Sequence, residues 1–150
     1  ETFTKRKSII LTQILSRQNI SRLSVGCAGL CAENMDLLVT ALKNNTSVTC
    51  LDLGGNDLTG EGCKVLFEGL SESKAQIVTL DLSYNKITDE GVVWMIPWLK
   101  SSGSISHLYL HSNKISSKGI ELVIQSMEEN FGLKKITLNG NSHVTQDTKE

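Results

Sequence analysis

One motif returns five times along this chain, and the interval barely changes. The pattern L-x-L-x-x-N-x-L is spelled by Leu51, Leu53, Asn56, Leu58, by Leu80, Leu82, Asn85, Ile87, and by Leu108, Leu110, Asn113, Ile115. A weaker copy, Leu23, Val25, Ala28, Leu30, precedes these three, and a truncated one, Ile136, Leu138, Asn141, follows them. The copies start at 23, 51, 80, 108 and 136, so the steps are 28, 29, 28 and 28 residues. Self-similarity at a fixed period of this size marks a repeat architecture.

Each copy continues with a second, slower pattern. After Asn56 come Leu58, Gly62, Leu66 and Leu70; after Asn85, Ile87, Gly91, Met95 and Leu99; after Asn113, Ile115, Gly119, Val123 and Met127. Ala28 is followed in the same way by Leu30, Asn34, Leu38 and Leu42. Steps of four have the period of a helix, so each unit reads as a short strand, a turn and a helix of about three turns. Further apolar residues flank the helical stripe at Leu37 and Val39, Val65 and Phe67, Trp94 and Ile96, Leu122 and Ile124. So wide an arc needs cover on more than one side, and the helices of neighbouring repeats can supply it.

These residues resemble the 28-residue leucine-rich repeats of the ribonuclease-inhibitor type over positions 20–141. The resemblance implies an α/β solenoid, a curved horseshoe segment with a parallel sheet on its concave face and helices on its convex face. It implies no one activity, because inhibitors, immune sensors, actin-capping proteins, GTPase activators and bacterial effectors share the repeat. The Asn column, Asn56, Asn85, Asn113 and Asn141, stands where the chain leaves the sheet. There a buried amide is expected to satisfy open backbone groups, a structural role rather than a functional one.

The ends follow the same register. Residues 4–18, with Ile9, Ile10, Leu11 and Ile14 at apolar positions, read as the helix of a preceding repeat or a cap within 1–19. Repeats fill 20–141, the last incomplete, and 142–150 form a tail too polar for the missing helix. An open parallel edge at that end invites cover by another chain, including self-association, or marks a fragment of a longer protein.

Composition narrows the partner class. The net charge is −1 and no strong charge asymmetry appears, so neither nucleic acid nor a membrane surface is indicated. Lys5, Arg6 and Lys7 read as a solvated terminus. The spacing of Cys27, Cys31, Cys50 and Cys63 fits no paired zinc pattern, and His107, His111 and His143 lie far downstream. Free thiols and a cytoplasmic location are expected. The acceptor triplets at Asn19 and Asn44 point the other way but arise often by chance.

Alternation along a strand turns the x residues of L-x-L onto the concave face. The central column reads Ser24, Asp52, Asp81, Tyr109, Thr137, with His107 and His111 two positions to either side of Tyr109 and Tyr84 just past the third strand. Asp52 and Asp81 should be lateral neighbours about 4.8 Å apart, unfavourable unless something offsets the repulsion. Asp52, Asp81, Tyr84, His107, Tyr109 and His111 are therefore the candidate site for a protein partner, since Tyr supplies contact area and Asp a charge to pair.

Catalysis is not expected. Two carboxylates and two histidines suffice formally for acid and base chemistry, but they lie on an open sheet, and no phosphate loop, nucleophile elbow or paired metal motif is present. No cofactor is called for. A GTPase activator is the enzymatic competitor, yet of Arg6, Arg17 and Arg22 only Arg22 maps to the concave face. The sensing segment of a nucleotide-binding immune-type receptor and a pathogen effector are the remaining alternatives. On the convex side, Pro97 is expected to kink or shorten its helix. Trp98 either packs against that kink or stands out as an aromatic anchor, and Trp94 aligns with core positions.

Overall fold

The computed structural model describes residue 13, residues 15–17 and residues 19–141. Most of the expected N-terminal helix, including Ile9, Ile10, Leu11 and Ile14, lies outside the described residues, as do His143 and the tail 142–150. Strands β1 (Arg22–Ser24), β2 (Cys50–Asp52), β3 (Thr79–Asp81), β4 (His107–Tyr109) and β5 (Lys135–Thr137) alternate with helices α1 (Ala32–Leu42), α2 (Gly60–Glu72), α3 (Asp89–Ser101) and α4 (Ser117–Met127). The strands form one parallel sheet in chain order, and the helices pack in the same sequence. The α/β leucine-rich-repeat solenoid expected from the period is the architecture observed.

Register follows the repeat without slippage. Leu23, Leu51, Leu80, Leu108 and Ile136 pair in one row across the five strands. Leu51, Leu80 and Leu108 are fully buried, as are Leu53, Leu82 and Leu110 behind them. Each such side chain contributes about 1.5–3 kcal/mol by leaving water, and only stacking makes that burial possible.

The Asn column closes the sheet on itself. Asn85 Nδ2 donates to the carbonyls of Leu53 and Leu82 at 3.0 and 3.1 Å, and its Oδ1 accepts from Leu58 N–H at 3.1 Å. Asn56, Asn113 and Asn141 repeat the arrangement one unit along. One buried amide thus ties every repeat to its predecessor. A second set at the other end of the sheet was not legible beforehand: Asn45 reaches back to the Leu15 carbonyl at 2.8 Å, and Asn130 to that of Leu99.

The helices enter close to the preceding repeat. A Cβ on Gly91 would lie 2.7 Å from Ile87 and 3.1 Å from Cys63, so this column is held at glycine by contact. Asn34 takes the position in the first repeat and folds back on its own helix start, accepting from Cys31 N–H.

Two expectations on the convex side need correction. Pro97 does not shorten its helix: α3 spans 13 residues, as α2 does. Val93 and Pro97 are both exposed, so the bond that proline removes is on the solvent side of α3 and not in the core. Trp94 is not a core residue. It is half-buried, as Leu37 and Val65 are at the same position of their repeats, because this column lies on the flank of each helix rather than in the core stripe; Lys64 Nζ lies 4.9 Å from its ring centroid. Of the two readings of Trp98, packing is the one observed: it is buried, its ring centroid 5.3 Å from that of Phe67. Leu122 and Ile124 are 39% and 51% exposed, since no further described helix covers that flank of α4.

Candidate functional site

The sheet places Asp52 directly beside Asp81, and Asp81 beside Tyr109, which borders Thr137. Neither carboxylate makes an ion pair with a described residue. Hydrogen bonds supply the compensation instead. Asp52 accepts from Ser24 Oγ at 2.7 Å and from Gly54 N–H at 3.0 Å. Asp81 Oδ1 accepts from Ser83 N–H at 2.9 Å and from Ser83 Oγ at 2.6 Å. Each acid therefore fastens the turn that follows its own strand while its charge stays at the surface, and such bonds to an ionised acceptor are the stronger kind.

Beyond the acids lies an aromatic and cationic group. The rings of Tyr84 and His111 meet edge-on at 5.2 Å, and Tyr109 lies edge-on to His111 at 6.5 Å. Lys135 Nζ stands 5.2 Å from the Tyr109 ring centroid, and His111 Nδ1 is 2.9 Å from Thr137 Oγ1. Lys135 was absent from the candidate set, although its place two residues before Thr137 on the same face is readable from the alternation. His107 pairs laterally with Lys135 in the sheet, and its Nδ1 lies 3.0 Å from the hydroxyl of Ser106.

Tyr84 has a further peculiarity. Position five of each repeat, Cys27, Gly55, Tyr84, Ser112 and Gly140, has a left-handed backbone, with φ between 51° and 72°. Two of these are glycine, the residue such a conformation favours; a tyrosine there is strained by about 1–2 kcal/mol. Tyr84 is also 63% exposed, so no burial of its ring offsets that cost. Strain of this kind gathers at sites that do something. The turn itself is firmly held, because Tyr84 N–H donates to the His111 carbonyl at 3.1 Å and the neighbouring turns repeat the bond.

No group of three His, Cys, Asp or Glu able to hold a metal occurs among the described residues. All four cysteines are free thiols; Cys63 is buried, and burial, helped by the nearby Glu90 charge, pushes its pKa up to about 12. No helix is long and apolar enough to cross a membrane among the described residues.

A family model described as Leucine Rich repeat matches residues 44–67 and 77–93. The chain is 28% identical over 127 residues to the NACHT, LRR and PYD domains-containing protein 4E of Mus musculus, covering 81% of this chain and 13% of that protein. It is 30% identical over 122 residues to protein 4C of the same series and species, covering 77% and 12%, and 29% identical over 103 residues to protein 2 of Homo sapiens, covering 69% and 10%. The chain thus spans no more than 13% of the length of these curated relatives. Among solved structures, actin-binding site 2 of leiomodin-1 superposes with a TM-score of 0.78 at 18% identity, over 93% of this chain and 80% of that one. The C-terminal domain of tropomodulin from Caenorhabditis elegans does so with a TM-score of 0.75 at 14% identity, over 91% and 84%. At these identities the two structures share the fold alone.

Proposed function

The chain is a leucine-rich repeat protein, and from that premise we propose that it is a non-catalytic module that recognises another protein through its concave sheet. The observation that carries the reading is Tyr84, an exposed aromatic in a strained conformation, set against His111 and Tyr109 and bordered by the Asp52–Asp81 pair. Aromatic side chains with few rotamers give contact area at low entropic cost, and the two acids suit a Lys or Arg of the partner. Residues of this face differ from repeat to repeat, while the columns behind it stay constant.

A second reading refines the first. The relatives are NACHT, LRR and PYD domains-containing proteins, which favours this module being the sensing segment of a nucleotide-binding immune-type receptor. A cytoplasmic setting suits both, since four free thiols persist where the medium is reducing. A GTPase activator is less well supported, because Arg22 is the one arginine on the concave strands.

The test is capture from cell lysate with the wild type and with a Tyr84→Ala/Tyr109→Ala/His111→Ala variant of unchanged circular dichroism. A protein held by the first and lost by the second supports concave recognition; equal capture contradicts it. Faster GTP hydrolysis by small GTPases on adding the wild type would favour the activator.

A further inference from the structure

The convex side carries one groove unlike its neighbours. It runs between α2 and α3, encloses about 530 Å³, and is lined by Phe67, Glu68, Glu72, Trp94, Pro97 and Trp98, with Ser71 between the two glutamates. At the positions of Phe67, Glu68 and Glu72, the first repeat carries Val39, Thr40 and Asn44, and α3 carries Ile96, Pro97 and Ser101. At those of Trp94 and Trp98, α2 carries Val65 and Gly69, and α4 carries Leu122 and Ser126. Aromatic walls with a carboxylate rim therefore coincide in this groove, which holds both tryptophans of the sequence.

We infer that this groove is a second docking surface, separate from the concave face, and that its occupant is an extended peptide segment of a partner protein bearing arginine or lysine. Charge complementarity selects the occupant. Glu68 and Glu72 are four residues apart on one helical face, and neither pairs with a cation of the described residues. Indole faces add negative potential of their own, and a guanidinium or ammonium laid across them is held by the ring as well as by the acids. Lys64, with its Nζ 4.9 Å from the Trp94 ring centroid, shows that this indole accepts a cation. Phe67 and Trp98, locked ring against ring at 5.3 Å, give the groove a rigid floor. Its volume lies within the range of ligand sites, about 300–1,000 Å³, and its lining runs over positions 67–72 of α2 and 94–98 of α3, a length of about 9 Å with room for roughly three extended residues.

Tryptophan emission reads the groove directly. The chain is titrated with a synthetic arginine–proline repeat peptide, extended by its composition, and with its glutamate–proline counterpart. A saturable emission change is expected with the arginine peptide alone, and a Glu68→Gln/Glu72→Gln variant, isosteric and solvent-facing, should bind it roughly tenfold more weakly at the same salt concentration. A concave variant, Asp81→Asn/Tyr109→Phe, should bind it as the wild type does. The proposal is overturned by the absence of a saturable change, by an equal response to the glutamate peptide, by unchanged affinity of the Gln variant, or by loss of binding in the concave variant.

Discussion

Asn85 and Asp81 stand four residues apart in one repeat and use their polar atoms in opposite directions. Asn85 is buried and bonds across repeats, to Leu53 and Leu58 of the unit before. Asp81 bonds to Ser83 of its own turn through Oδ1, and its Oδ2 meets no described residue. The first residue type recurs because every junction between units has the same open backbone groups. The second varies because its outer side faces whatever the chain meets. Constancy along the solenoid marks what holds it together, and variation marks what it presents.

The interior side of that comparison should break hardest. Trp98→Ala removes the partner of Phe67 and opens a cavity between α2 and α3, and urea unfolding should show a loss of about 3–5 kcal/mol. Asn85→Ala orphans the buried Leu58 N–H and takes one of two amide donors from the carbonyls of Leu53 and Leu82, which keep Asn56 and Asn113, and the same measurement should show about 1–3 kcal/mol. A loss below roughly 1 kcal/mol for Asn85→Ala, within the range of an ordinary surface change, would mean that water replaces the amide and that the column is not a staple.

Two cysteines sharpen the contrast without a large stability change. Iodoacetamide at pH 8 should label exposed Cys27 and spare buried Cys63 until the chain unfolds, as mass spectrometry would show. The pKa of Cys63 is raised from 9.0 to about 12 in the folded state. Between those values the unfolded chain binds fewer protons than the folded one, so the contribution of this thiol is intact below pH 9 and is lost as pH rises towards 12. A Cys63→Ala variant should therefore lose less stability over that window than the wild type.

The smallest expected effect has the opposite sign. Tyr84→Gly relieves the left-handed backbone and should leave the chain unchanged or up to about 1 kcal/mol more stable, while abolishing partner capture. A variant that gains stability and loses binding would set the presented face apart from the structural columns. Marked destabilisation would place Tyr84 among the structural residues instead.

Much of the fold was legible because the period fixed it. Strands β1 to β5 and helices α1 to α4 sit where the L-x-L and four-residue steps put them, and the adjacency of Asp52 and Asp81 followed from register. Other features escaped for physical reasons. The left-handed column is disguised by Cys27, Tyr84 and Ser112; Gly55 and Gly140, aligned with them, are the sole sequence sign. Trp94 misled because the apolar column it shares with Leu37, Val65 and Leu122 is a half-buried to exposed flank of the helix, and apolar character alone does not separate such a flank from the core stripe. The hydrogen bonds that Ser83 donates to Asp81 required side-chain geometry, and without them the acid pair looked uncompensated.

The most direct test of concave recognition is site-specific photocrosslinking to a captured partner. A benzoylphenylalanine is placed at Tyr109 on the sheet or, as a control, at Gln125 on the exposed face of α4. The account predicts a covalent adduct from position 109 and none from 125; an adduct from 125 with none from 109 would contradict it.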